Sequence, residues 1–137
     1  MGMTNYLEEQ LGTHIFRDGT YTPPTTLYMA LLTTLPTTDA CGDEVELATA
    51  SYDRVAYGPS DAAWSAPVAG DGKFYNMFSI IFPTPGEDWG TIVGWCFYDA
   101  ETDGNPLFFS ALASNKNVPN GAPAPEFNPG AVSFTFD

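Results

Sequence analysis

The residues best spaced for chemistry are three carboxylates in one short run, Asp99-Ala-Glu-Thr-Asp-Gly104. Acids at the first, third and fifth positions with glycine at the sixth match the opening of an oxygen-ligand calcium loop. The match then fails. Glu101 stands where that loop carries Asp or Asn, Ser110 replaces its bidentate Glu, and a strand rather than a helix is predicted to follow. An Asp/Gly-rich hairpin turn is the expected identity of the run, and no metal site is assigned. The pairs Asp43/Glu44 and Glu87/Asp88 are also carboxylate neighbours. A glycosidase needs its two acids facing each other across a cleft, and neighbours in turns do not supply that, so solvated loops are expected.

His14 is the only histidine, and it falls in a predicted helix without an evident orienting partner, as a surface residue would. A nucleophile elbow, a His-Glu-x-x-His helix and a phosphate loop are all missing from the sequence. Cys41 and Cys96 are too few for a disulfide framework or a zinc site. Cys96, inside the apolar run 92–98, reads as a small core residue, and Cys41 as an unreactive thiol in an acidic loop. Of three tryptophans, Trp95 belongs to a strand core, whereas Trp64 lies in a Ser/Ala/Pro loop and is the one expected to touch a partner. No catalytic residue and no cofactor are assigned.

The elements that would position these residues begin with a helix over residues 4–17, with Asn5 as cap and Glu8 answering it. Tyr6, Leu7, Leu11 and Ile15 give it an apolar face, and Arg17 ends it where a cation suits the helix dipole. Pro23 and Pro24 hold the chain extended before a buried strand at 27–34. Residues 39–46 read as acidic and solvated. A strand at 52–57 carries Arg54, expected to pair with one of the many acids, and a strong strand at 74–82 alternates apolar residues with Asn76 as its single interruption. The strand at 89–99 is apolar on both faces, hence central, and makes a hairpin with 107–112. A long Pro/Asn/Gly-rich loop at 115–130, mobile or docked on a partner, precedes a closing strand at 132–136 that calls for interior neighbours. The sum is one mainly-β domain over residues 1–137, an antiparallel β-sandwich or jelly-roll-like fold with a short N-terminal helix.

Acidic residues outnumber basic ones 17 to 4, for a formal charge of −13. That balance disfavours nucleic acid, whose phosphates need Lys and Arg, and anionic membranes. It is ordinary for a soluble, self-repelling protein and also suits docking on a basic partner. No stretch is long and apolar enough for a transmembrane helix. The N-terminus lacks a secretory pattern, and Tyr6 occupies the position where a myristoylation motif needs Ser or Thr, so synthesis in a host cytoplasm is expected.

Several segments resemble a family of small phage virion proteins commonly labelled tail fibre or minor tail proteins. These are the Asn5-Tyr-Leu-Glu helix, Tyr21-Thr-Pro-Pro24, and the strand Leu27-Tyr-Met-Ala-Leu-Leu-Thr-Thr34. Asp88-Trp-Gly-Thr-Ile92 leading to Phe97-Tyr-Asp99, and Gly104-Asn-Pro-Leu-Phe-Phe109 running to Lys116-Asn-Val118, extend the likeness over most of the chain. The resemblance implies a structural role in a particle. The chain is too short for a fibre shaft and has no repeat to build one. Decoration or cementing of the capsid shell is therefore the first expectation, and a tail-associated host-binding module the alternative. The expected partners are the major capsid protein or other virion proteins and further copies of the chain. Tyr6, Leu7, Leu11, Ile15, Trp64, Lys116 and Phe127 are the expected contact residues.

Overall fold

Thr4, not Asn5, starts the helix. Thr4 is extended, its hydroxyl accepts the Leu7 N–H at 3.3 Å, and α1 runs Asn5–Phe16 with Arg17 as C-cap. The Thr4 N–H also donates to the carbonyl of Leu107 at 2.9 Å, and its hydroxyl lies 2.6 Å from that of Pro106. One buried threonine thus satisfies an orphan helix donor and fastens α1 to a strand. Asn5, one residue on, donates its N–H to Thr38 O at 2.8 Å instead.

The computed structural model describes residues 1–38, 40–46 and 51–136, and its architecture is mainly β with every strand pairing antiparallel. A five-stranded sheet is ordered β1–β7–β6–β2–β3: β1 is Gly2–Met3, β2 Tyr28–Leu32, β3 Val55–Ala56, β6 Gly90–Tyr98 and β7 Pro106–Val118. Two two-stranded ribbons accompany it. One pairs β4, Lys73–Tyr75, with β9, Ser133–Thr135, and the other pairs β5, Ile80–Ile81, with β8, Glu126–Phe127.

The sheet is covered on both faces, which explains the double-sided apolarity of β6. Register puts Met29, Phe97 and Phe108 side by side, and Leu31 beside Trp95. These belong to the main core, which the ribbon segments cover through Ile80, Phe82, Val132 and the Phe108–Phe134 contact at 5.1 Å. Ala30, Cys96 and Phe109 alternate onto the opposite face, where Leu32, Cys96 and Phe109 pack with Cys41.

Several expectations change here. Cys41 and Cys96 form a disulfide with Cα atoms 5.9 Å apart, so neither is a free thiol. The acidic segment 40–46 is not simply solvated: Cys41 and Val45 are buried, and Val45 N–H donates to Leu31 O at 3.0 Å. Asp39, expected in that segment, lies outside the described residues. The strand at 74–82 is two short strands separated by residues 76–79, which begin with Asn76, and Phe78 is about half exposed. The loop expected at 115–130 is shorter, because β7 continues to Val118 and β8 pairs within the chain. The closing strand pairs with the short β4 instead of an interior strand.

Asn76 is the reason the strand divides. It is fully buried and occupies the role of a missing ladder. Its Nδ2 donates to the carbonyls of Phe78 at 3.0 Å and Asn128 at 2.9 Å, and its Oδ1 accepts the Val132 N–H at 2.9 Å. Its own backbone bonds Val132 O and Gly130 N–H. Tyr57 plays a similar part: its hydroxyl accepts the N–H groups of Met77 and Phe78 and sits 2.8 Å from Ala63 O. Two side chains thus supply the backbone partners that ribbons of two or three residues cannot.

Candidate functional site

The calcium-like run 99–104 forms the β6–β7 hairpin turn. Asp103 and Gly104 both take positive φ, 52° and 74°, a conformation Asp and Gly tolerate better than most residues. Both Asp99 oxygens are committed to Asn105, at 2.7 Å to its N–H and 2.9 Å to its Nδ2. The turn carbonyls that a cation would need are also occupied. Arg54 Nη1 donates to Ala100 O at 2.9 Å and to Asp103 O at 2.8 Å.

Arg54 is the centre of this region. It pairs with Glu44 through Nη2 to Oε2 at 2.7 Å and Nε to Oε1 at 2.9 Å, a bidentate arrangement with both side chains largely buried. Its guanidinium lies 3.7 Å from the centroid of the Tyr98 ring. Tyr52 donates its hydroxyl proton to Glu44 Oε1 at 2.9 Å and accepts the Leu31 N–H at 3.0 Å. Burial works against the charge on Arg54, yet the Glu44 carboxylate holds its pKa above the usual value. Burial and then Glu44 push the Tyr52 hydroxyl well above the ordinary tyrosine range, and the same two causes raise Tyr98. The pairing expected for Arg54 is present, and it corrects the reading of Glu44 as solvated. Each donor here has its acceptor, so the cluster ties loop, sheet and turn together.

The expected contact residues lie in separate places. Leu7 is buried in the core, with Tyr6 and Leu11 half-buried against it, whereas Ile15 is 66% exposed at the end of α1. Leu7 and Trp64 meet in a wholly apolar recess of about 200 Å³ with Phe74, Phe108 and Phe136. Lys116 and Phe127 share another, of about 180 Å³, with Leu112 and Val118. Trp64 is half-buried and packs edge-on against Tyr57 at 5.4 Å and Phe97 at 5.5 Å, so most of the ring is core while one side lines a cleft. His14 is exposed and its Nδ1 accepts the Tyr21 N–H at 3.3 Å. Glu87 and Asp88 are exposed, with Asp88 accepting the Asn120 N–H at 2.6 Å. Among the described residues no group of three His, Cys, Asp or Glu side chains could hold a metal ion, and no helix is long and apolar enough to cross a membrane.

A family model described as podophage GP4 fiber I protein gp80 matches residues 2–135. The chain belongs to this family. No curated protein matches it. The gp80 family match spans every described element from β1 to β9, so the sheet, the ribbons and the Arg54 cluster all lie within the shared region. It places the chain among phage virion structural proteins, the class that segments along most of the chain resemble.

Around Trp64 the sequence reading missed the residues that complete the cleft: Ser60, Asp61, Ser65 and Phe74. The signal available was the polar spacing on both sides of Trp64 between Pro59 and Pro67. Phe74 carried no such signal, because strand alternation assigned it wholly to the core.

Proposed function

We propose that this chain is a non-catalytic structural unit of a phage fibre, exposed on the virion. The observation that carries the reading is the gp80 family match over nearly the whole chain, since the family's description is that of a fibre protein. Head decoration is the first expectation from sequence alone, and the family description reverses that order. The fold supports a compact unit at a fibre's end or attachment point, because it has neither repeat nor heptad to propagate a shaft. A disulfide suits a protein that works on a particle surface, outside a reducing cytoplasm. The carboxylates that suggested chemistry serve turns and an ion pair, which supports a role without turnover. Other virion proteins and further copies of the chain are its partners in this reading, and the charge of −13 favours a basic docking surface on a partner.

Immunogold labelling of intact particles carrying a C-terminally tagged copy tests the proposal. Label confined to the tail or its fibres is the expected result. Label spread over the head would overturn it in favour of the decoration role.

A further inference from the structure

The cleft beside Trp64 has a composition that the core does not require. It is an open cleft of about 760 Å³, within the range of small-molecule sites, lined by Ser60, Asp61, Trp64 and Ser65 between Pro59 and Pro67 and by Phe74. Trp64 is held firmly. Tyr57, Phe97 and Phe108 contact it edge-on, and its nitrogen is buried against Gly58, where a Cβ would come within 2.6 Å. That nitrogen has no hydrogen-bond partner among the described residues, so Trp64 offers the cleft carbon surface and not a donor.

The polar groups are likewise preset. Ser60 Oγ accepts the Ala63 N–H at 3.1 Å, and the buried Ser65 Oγ accepts the Tyr75 N–H at 3.0 Å. Each serine is thereby fixed through its oxygen, and its hydroxyl proton, with no acceptor among the described residues, remains able to donate. Asp61 is exposed and adds a carboxylate acceptor. Among the described residues no Lys, Arg or His lines the cleft.

We propose that this cleft binds an uncharged carbohydrate. A sugar ring presents C–H groups on its face, which suit the electron-rich surface of Trp64 and Phe74, and hydroxyls on its rim, which both donate and accept. Two serine donors and one carboxylate acceptor complement that rim. An anionic glycan meets Asp61 with no compensating cation, on a chain of charge −13. The inference rests on the cleft and not on the fibre reading, so particle labelling and sugar binding can fail separately.

The test is the purified full chain on an array of neutral and acidic glycans, with trilysine as a cationic comparator in solution. Hits are then followed by saturation-transfer NMR. Binding to one or more neutral glycans is expected, with Kd on the order of 1 mM for so open a site. Asp61→Ala, at an exposed position, is expected to weaken binding at least about five-fold with an unchanged melting temperature. Ala66→Trp, which fills the cleft from its exposed rim, should abolish it. The proposal is overturned if no neutral glycan binds, if neither variant alters binding, or if acidic glycans or trilysine bind more tightly than any neutral sugar.

Discussion

The five-stranded sheet and the pair of ribbons solve the same problem in opposite ways. In the sheet, β6 and β7 make long ladders, and the backbone satisfies itself. The buried cation beside it, Arg54, is matched by Glu44, two turn carbonyls and the Tyr98 ring. In the ribbon half, ladders span two or three residues, and Asn76 and Tyr57 hold what regular pairing cannot. The ribbon half also carries the exposed Met77, Phe78 and Ile81, and Phe74, which shares the cleft with Trp64. Regularity gives the sheet its rigidity, and the irregular half leaves side chains free to face outward, where binding surfaces arise.

The sharpest way to break this comparison is at its buried charge. Arg54→Ala leaves Glu44 without its partner and is expected to cost about 3–5 kcal/mol in urea unfolding. A companion Glu44→Gln change should restore part of that loss, and a mild effect of Arg54→Ala alone would show that the sheet half does not depend on the cluster. Asn76→Ala removes the side-chain bonds to the Phe78, Phe127 and Asn128 carbonyls and to the Val132 N–H, and should cost about 3 kcal/mol. Hydrogen exchange is expected to show protection lost first at Tyr75 and Ser133, with β6 and β2 still slow. Uniform loss across both halves would mean that they unfold as one.

Replacing Cys41 and Cys96 together by Ser opens a loop of 55 residues. A cost of about 2 kcal/mol is expected, towards the low end for disulfides, because Val45 and Asp43 also bind the segment to β2 and the Thr33–Thr34 turn. Thermal melts with and without reductant check it.

The pH response should be smaller and alkaline. The raised Tyr52 pKa means that the folded chain keeps its proton after the unfolded chain has begun to lose it near pH 10. Stability is therefore retained below about pH 10 and declines as pH rises beyond it. Melts from pH 8 to 11 should show this decline, shallower in Tyr52→Phe. Ile81→Thr, at a residue 55% exposed, should change stability by no more than about 0.5 kcal/mol. A large loss there would place Ile81 in the core, against the alternation that turns Ile80 and Phe82 inward.

Much of the scaffold was legible in the chain. The helix, β2, the double-sided β6 and its hairpin with β7 follow from periodicity and turn residues, because those signals are local. The cleft was legible only at Trp64. Asn76 read as a flaw in a strand because alternation counts apolar residues and cannot see a distant carbonyl needing a donor. Cys41 read as a loop thiol because nothing nearby in sequence announces Cys96, 55 residues away.

The sequence by itself determined the mainly-β class, the order of its principal elements, the acidic surface and the likeness to phage virion proteins. These rest on composition and on neighbours within a few residues. The tertiary structure alone decided that Arg54 would fill the calcium-like turn, that Asn76 would divide a strand, and that Ser60, Asp61, Ser65 and Phe74 would gather around Trp64. The first two are contacts between segments far apart in the chain, where a buried polar group takes whichever partner the packed fold brings within reach, and the third depends on the fold bringing Phe74 against the 60–65 turn.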